Sequence, residues 1–212
     1  MKKTIFSLFL FGAVLSASPV SVTFVSATSE IGPYTLSVNG KNVAAMCMDD
    51  FLHVSANQSW KANVTAVNSS DFSNTYFGNN TKNEYGYSLT SANVYAMEGY
   101  LFSQIIKPNA DRTHIQEAAW AIMDHATLTN VVNSGNTAVL AVLQQALTSY
   151  SSFDGSGYEI LSQVNPGCNA PQEFMTQSAA APEPATFALL GLGFVAAGAT
   201  RFLRKKQLQA QA

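Results

Sequence analysis

The chain has 212 residues, of which 47% are apolar and only 11% are charged. This length suits one globular domain with short extensions, and the composition excludes a disordered polyampholyte. With 11 basic against 13 acidic residues, it also argues against a nucleic-acid-binding protein. Six basic residues flank apolar runs at the termini, whereas five basic residues face twelve acidic ones between Thr28 and Ala181. This distribution is typical of an exported, anchored precursor with an acidic body.

The N-terminal residues 1–27 have the three parts of a secretory signal peptide. Lys2-Lys3 forms the basic start, and an apolar segment follows at Ile5–Leu15. Val25–Ala27 supplies the small residues that signal peptidase requires, and Leu15–Ala17 is a second candidate cleavage site. The alternative is an uncleaved helical anchor, but the apolar segment is shorter than the ~20 residues of a membrane span. We therefore expect signal peptidase to process the chain.

The first part of the exported body, 28–177, is predicted to be rich in strands. Tyr34–Val38 alternates at period two, and the Asn39-Gly40 pair after it is a strong hairpin signal. The next strands are predicted at Val43–Val54 and Trp60–Val67. Asn68–Tyr87 is rich in Asn, Ser and Thr and is predicted to be a long polar surface loop.

Three helices with apolar residues at helical spacing are predicted to follow, and two strands complete the body. Strands, helices and strands in separate blocks indicate an α+β domain rather than alternating βαβ units. The helices are predicted at Ala92–Ile106 with Ser91 as N-cap, at His114–Ala126 capped by Asp111 or Thr113, and from Asn136 or Thr137 to Tyr150. The strands are predicted at Gly157–Val164 and Gln172–Thr176.

The C-terminal residues form three consecutive parts. A linker, 178–184, ends in Pro182-Glu183-Pro184 and precedes an apolar segment, 185–200, that is predicted to be a short transmembrane helix. Sixteen residues are marginal for a span, at ~1.5 Å per residue against ~30 Å of hydrocarbon. The last part, 201–212, is predicted to stay on the cytoplasmic face because of its basic residues, Arg201, Arg204, Lys205 and Lys206.

This three-part tail resembles the PEP-CTERM sorting signal of Gram-negative bacteria. The resemblance implies recognition by an exosortase, a membrane-embedded cysteine peptidase, and processing at the Pro182-Glu183-Pro184 region. It also implies a precursor held in the inner membrane and a mature protein at the cell surface or in the extracellular exopolysaccharide matrix. An ordinary C-terminal anchor is the alternative, and in both cases the body faces the oxidising side of the membrane.

The body also contains two cysteines, Cys47 and Cys168. In an oxidising compartment the simplest expectation is a disulfide between them, which would join the N-terminal strands to the C-terminal hairpin.

Three motifs of the body resemble a thioester domain of surface adhesins. Cys47 ends a predicted strand and precedes two carboxylates, and the second helix begins with an Ile-Gln-x-Ala-x-Trp motif at 115–120. The helix before it carries a Tyr-Ala-x-x-x-Tyr-Leu motif at 95–101. The resemblance covers about 34–125 and a closing strand at 171–174. It implies an antiparallel β-sandwich or barrel-like sheet with a three-helix insertion. Met46 departs from the family pattern, in which an aromatic residue or Leu commonly precedes the cysteine.

In that family the cysteine sulfur and the glutamine side chain condense into an internal thioester with loss of ammonia. Carried over, the pair is Cys47 and Gln116, and a partner's amine or hydroxyl group would attack the thioester and become attached through Gln116. This is single-turnover chemistry rather than enzymatic turnover, and it requires neither a cofactor nor a metal. The start of the helix is expected to offer free backbone N–H groups to the oxyanion. The residues expected around the bond are Asp49, Asp50, His114 and Trp120.

These residues also have purely structural interpretations. Gln116 is placed to complete a capping box with Thr113, and Trp120 to pack in the core, where it would also keep water from the acyl group. Two other functions stay open. One is a non-covalent structural component of the matrix, with a Cys47–Cys168 disulfide or free thiols. The other is a cysteine hydrolase in which His114 assists the thiol.

Overall fold

The structure of the protein is a computed structural model that describes residues 18–27, 31–50, 52–84, 87–164 and 171–178. Within these ranges the chain forms eight strands, four α-helices and a 3-10 helix at Tyr150–Ser152. The strands are β1 (Val20–Ser26), β2 (Tyr34–Val38), β3 (Lys41–Cys47), β4 (Ser59–Ala66), β5 (Thr81–Glu84), β6 (Tyr87–Thr90), β7 (Tyr158–Gln163) and β8 (Phe174–Gln177). The helices are α1 (Ser91–Ile105), α2 (Arg112–Met123), α3 (His125–Ser134) and α4 (Thr137–Ser149).

Six strands close into an antiparallel barrel in the order β1-β2-β3-β8-β7-β4. The barrel is closed by β1, which pairs with β2 on one side and with β4 on the other. The tight turn between β2 and β3 places Asn39 and Gly40 at φ of 48° and 82°, which these two residue types adopt readily in a two-residue hairpin. A separate hairpin is formed by β5 and β6.

Strand β3 borders both hydrophobic cores of the body. Successive residues of a strand point to opposite faces. Ala45 and Cys47 accordingly pack in a cluster with aromatic side chains of the barrel. Met46 and Met48 pack in a second cluster with the helices. The barrel cluster contains Tyr34, Trp60 and Phe174, whose rings contact one another edge-on or stacked. The end of β3 is therefore surrounded by packed side chains on each face.

The four helices form the connection from β6 to β7, and α1 and α2 pack against β3. Each helix has a side-chain N-cap that satisfies a free backbone N–H group. Thr90 forms a capping box with Asn93 at α1, Asp111 caps α2, Asp124 caps α3 and Asn136 caps α4.

The α+β class with an antiparallel barrel-like sheet is confirmed, and several details of the prediction are wrong. The sheet is a closed barrel rather than a sandwich, and β3 ends at Cys47 instead of continuing to Val54. The N-cap of α1 is Thr90 rather than Ser91, and the polar segment 68–87 contains β5. The second helix ends at Met123 because Asp124 adopts an extended conformation, and a fourth helix, α3, begins directly after it.

The N-terminal edge of the barrel lies inside the segment predicted to be a signal peptide. Val20–Ser26 forms β1, in which Val22 is fully buried and Phe24 is 7% exposed. Cleavage after Ala27 would therefore remove a barrel strand, whereas the second candidate site, after Ala17, would leave the strand in the mature chain. Residues 1–17 lie outside the described part of the chain.

The predicted linker, transmembrane helix and basic tail fall in the second of two units of the chain, Ser178–Ala212. Apart from Ser178, they lie outside the described residues. Among the helices of the described ranges, none is long and apolar enough to cross a membrane.

Candidate functional site

Cys47 lies at the last position of β3, with its side chain in the barrel cluster. It is a free thiol and is fully buried. Its Sγ donates a hydrogen bond of 2.6 Å to the backbone carbonyl oxygen of Asp49. The expected disulfide is thus absent at Cys47, and Cys168 lies outside the described residues.

The carboxamide of Gln116 contacts the main chain of Cys47. Gln116 lies on α2 and is fully buried, and its Nε2 donates a hydrogen bond of 2.6 Å to the Cys47 carbonyl oxygen. Burying an amide in an apolar core is costly unless it is hydrogen-bonded, so this contact fixes the position of the side chain. The structure thereby brings together two residues that are 69 positions apart in the chain.

The other end of the Gln116 carboxamide has no hydrogen-bond partner among the described residues. Its Oε1 is buried and accepts no hydrogen bond from the described part of the chain. It lies against the backbone of Gly32, where an added Cβ would be only 2.9 Å from Oε1. Buried acceptors normally have a hydrogen-bond partner. The carboxamide is instead confined by packing at Oε1 and by one hydrogen bond at Nε2.

Gly32→Ala is expected to displace this carboxamide, because the new methyl group would be too close to Oε1. Overpacking of this kind typically costs about 1–3 kcal/mol of stability. In a Cys47→Ala chain, in which Gln116 keeps its carboxamide, the side-chain amide resonances of Gln116 should shift on this substitution, and the midpoint of chemical denaturation should fall modestly. Unchanged resonances would show that Gly32 does not confine the Gln116 carboxamide.

The surroundings of the thiol oppose ionisation overall. Burial is the largest factor that raises the pKa of the Cys47 thiol, and the negative charges of Asp49 and, more weakly, Glu98 act in the same direction. Hydrogen bonding by the Trp120 side chain and by the backbone of Asp49 lowers the pKa. These surroundings favour the protonated thiol, which must lose its proton before or while the sulfur acts as a nucleophile.

Asp49 connects the cysteine strand to β8. Its Oδ1 accepts a hydrogen bond from the Leu52 backbone at 3.0 Å, and its Oδ2 accepts one from the Glu173 backbone at 3.0 Å. Gln172 Nε2 donates to the Asp49 carbonyl oxygen at 3.2 Å, the same oxygen that accepts the hydrogen bond from the Cys47 thiol. Asp49 is thus a structural connector that also adds negative charge beside the thiol.

Two other residues predicted to surround the bond are held elsewhere. Asp50 Oδ2 accepts a hydrogen bond of 2.9 Å from the Thr127 hydroxyl group on α3. His114 Nδ1 pairs with Asp111 Oδ2 at 2.6 Å at the exposed start of α2. This hydrogen bond raises the pKa of His114. The histidine therefore contacts the N-cap of α2, and its hydrogen bond is to the Asp111 carboxylate rather than to the Cys47 thiol.

The expectation that Gln116 lies beside the free backbone N–H groups of the helix start is wrong. Asp111 caps α2, so Gln116 is the fifth helical residue and Thr113 forms no capping box with it. The Ile115 N–H group already donates to the Asp111 carbonyl oxygen at 3.1 Å. The free donors of a helix lie in its first turn, one turn before Gln116.

A buried carboxylate beside the site was not singled out from the sequence. Glu173 is fully buried and accepts hydrogen bonds from the Tyr76 backbone at 3.0 Å, the Tyr95 hydroxyl group at 2.8 Å and the Ser162 hydroxyl group. Burial raises its pKa to about 7. The available signal was a glutamate directly before the apolar residues of a predicted closing strand.

An open cleft is lined in part by Asp49. Its volume is about 270 Å³, and its lining includes two carboxylates and two aromatic rings but no basic side chain among the described residues. Such a cleft would favour a cationic group next to the cysteine strand. The lining residues are Asp49, Leu52, Tyr76, Phe77, Met123 and Asp124.

Comparison with known proteins identifies only the sorting tail. No curated protein and no solved structure matches the chain. One family model, the PEP-CTERM protein-sorting motif, matches residues 180–205, which include Pro182-Glu183-Pro184 and three of the four basic residues of the tail, Arg201, Arg204 and Lys205. The chain is thus similar at its C-terminus to exosortase-sorted proteins, which makes it an exported precursor that passes through the membrane.

Proposed function

We propose that the exported body forms an internal thioester between Cys47 Sγ and Gln116 Cδ, and that it uses this bond to attach covalently to a surface or matrix partner. The observation that supports the proposal is the contact between the Gln116 carboxamide and Cys47, in which both residues are fully buried. Burying a glutamine side chain in an apolar core costs free energy, and a reaction between this carboxamide and Cys47 would explain why the arrangement is kept.

Positioning is the main requirement of this reaction, because a carboxamide is a poor electrophile. Fixed groups in near-attack geometry reach effective concentrations of 10⁵ M or more. Gln116 is fixed by its hydrogen bond to the Cys47 carbonyl oxygen and by the backbone of Gly32. The surrounding barrel cluster also excludes water, which protects an acyl group from hydrolysis.

The reaction balances without an external reagent. The Cys47 sulfur attacks Gln116 Cδ, the C–N bond breaks, and the thiol proton leaves with the amide group as ammonia. An amine of the partner then attacks the same carbon, and the C–S bond breaks. The product is an amide between Gln116 and the partner, and Cys47 is again a thiol. A hydroxyl group in place of the amine gives an ester.

The sorting tail is consistent with this use. The sorting motif indicates an exported precursor, and a body that reaches the outside of the cell would meet partners with amine and hydroxyl groups there. Each molecule reacts once, so the body acts as a covalent attachment module rather than as an enzyme with turnover.

Intact mass spectrometry of the purified chain tests the proposal directly. A thioester predicts a mass deficit of one ammonia, and incubation with methylamine predicts one adduct at Gln116. Cys47→Ala should abolish both signals, whereas the matched variant Cys168→Ala should keep both. The bond closes a loop of 69 residues, so by analogy with a disulfide it should stabilise the fold by ~4 kcal/mol.

Two outcomes would reject the thioester. A deficit of two hydrogens without methylamine uptake indicates a Cys47–Cys168 disulfide and a non-covalent structural role. Methylamine uptake at Gln116 in Cys47→Ala would show that the acyl donor is not a cysteine thioester.

A further inference from the structure

Trp120 has a buried N–H group without a regular partner. Its Nε1 forms no well-aligned hydrogen bond with any atom of the described ranges. Buried tryptophan N–H groups usually find an acceptor, and an unsatisfied one in a native core needs a physical reason. A candidate acceptor must therefore lie close to the indole N–H group.

The indole of Trp120 packs against the barrel cluster that contains Cys47. The effect of the Trp120 side chain on the thiol is to lower the pKa of Cys47 against the effect of burial, although the N–H group is not aligned for a regular hydrogen bond. Trp120 is four residues after Gln116 on α2, so both side chains project from the same face of the helix. One helix face therefore presents the acyl group and an N–H donor to the same cysteine.

The chemistry of the proposed thioester creates a need for such a donor. When an amine opens the thioester, the electron pair of the C–S bond moves to sulfur. The nearby groups are unfavourable to a negative sulfur, since the site is buried and Asp49 is close. A preorganised donor aimed at the atom that gains charge has its largest effect in such a water-excluded site.

We propose, resting on the thioester function above, that Trp120 Nε1 donates a hydrogen bond to Cys47 Sγ and stabilises the sulfur as the C–S bond breaks. By the same geometry it assists the reverse movement of charge when the thiol gives up its proton and attacks Gln116. The loose geometry of the N–H group in the unreacted chain is consistent with a donor that tightens as charge develops.

Two variants separate the N–H group from the ring. Trp120→Phe removes the donor, and incorporation of benzothienylalanine at position 120 replaces only N–H by sulfur and keeps the ring shape. Trp60→Phe is the matched control, because Trp60 is a tryptophan of the same barrel cluster and its buried Nε1 also lacks a partner among the described residues. Thermal unfolding reports whether each variant is folded.

The first readout is the rate of methylamine uptake in the full chain. Both Trp120 variants should react at least tenfold more slowly than the wild type, since loss of one preorganised donor costs on the order of 10²-fold at a fully developed charge. Trp60→Phe should react within about twofold of the wild type. Equal rates in the Trp120 and Trp60 variants would overturn the role of Trp120 and leave the thioester intact.

The second readout is the alkylation of Cys47 by iodoacetamide as a function of pH, in a Cys168→Ser background and after methylamine treatment. The Trp120 variants should require a higher pH for the same rate, by about one pH unit or tenfold in thiolate population. A merely smaller side chain would open access and speed alkylation instead. A wild-type chain without an ammonia deficit rejects the proposed function, whereas unchanged alkylation profiles reject the donor even in that case.

Discussion

A chain that begins at Ser18 is expected to fold, whereas a chain that begins at Thr28 is expected to remain unfolded. Removal of β1 opens the barrel and leaves β2 and β4 with unpaired edges. It also removes the buried side chains of Val22 and Phe24, which contribute about 1.5–3 kcal/mol each. Together they contribute about 3–6 kcal/mol, which reaches the lower end of the stability of a typical domain, about 5–15 kcal/mol, before any lost hydrogen bonds are counted. Circular dichroism and chemical denaturation distinguish the two chains.

Two point variants of the same strand provide the matched comparison. Val22 is fully buried in the barrel, whereas Val25 is 39% exposed. Val22→Asp should therefore unfold the chain or lower its stability by several kcal/mol, because it places an unpaired charge in the core. Val25→Asp should be nearly neutral. N-terminal sequencing of the exported protein should correspondingly begin at Ser18. A mature, folded chain that begins at Thr28 would contradict the role of β1.

The sequence pattern was sufficient where local and tertiary preferences agree. The alternation of Tyr34–Val38 and the Asn39-Gly40 turn define β2 and its hairpin, because a two-residue turn fixes the register of both strands. The pattern was insufficient for β1, since a stretch of Val, Phe, Ser and Thr is compatible with both a signal peptide and a barrel strand. The pairing of β1 with β2 and with β4, which is about forty residues later, distinguishes them.

The helical region shows the same division. The apolar stripe of α1 predicts its length, and Asp111 was one of two candidates for the cap of α2. The break at Asp124 was not predictable from periodicity, because His125–Ser134 has only two buried apolar residues, Leu128 and Val131. Such a short stripe is a weak signal for a helix.

The candidate site divides along similar lines. Cys47 and Gln116 were singled out together, and they meet in the fold. The assignment of His114 followed from its closeness to Gln116 in the chain, but residues two apart on a helix face different directions, and His114 pairs with Asp111. The carboxylates of Glu98 and Glu173 were missed because burial of a charged residue depends on long-range packing.

The stability of the body is expected to fall as pH rises from about 5 to 8. Burial raises the pKa of Glu173 from 4.5 to about 7, against the opposing hydrogen bonds from Ser162, Tyr76 and Tyr95. The unfolded chain releases this proton at an ordinary pKa, so the folded state binds it more tightly. The resulting stabilisation is complete below about pH 4.5 and is lost as pH passes through 7. For a shift of this size it amounts to about 3 kcal/mol.

Other titratable groups whose pKa is raised in the folded chain contribute to the pH dependence with the same sign. Burial also raises the pKa of Glu98, which faces Glu173 and whose shift is opposed by the positive charge of Lys82. The charge of Asp49 raises the pKa of Glu173 further. His114, at the exposed start of α2, has a raised pKa because of its hydrogen bond to Asp111. Its contribution is also present at low pH and lost as pH rises.

Glu173→Gln isolates the contribution of the buried carboxyl group, because glutamine has the shape and neutrality of the protonated acid. Its free energy of unfolding, measured by urea denaturation between pH 5 and 8, should depend much less on pH than that of the wild type. The variant should exceed the wild type most at pH 8, where the native chain contains a buried negative charge. His114→Gln is the control and should reduce the slope only slightly, since an exposed ion pair contributes little. Parallel pH profiles for Glu173→Gln and the wild type would show that Glu173 is ionised throughout this range. The contacts by which Glu173 connects α1 and the end of β3 to β8 would then involve a buried carboxylate rather than a neutral acid.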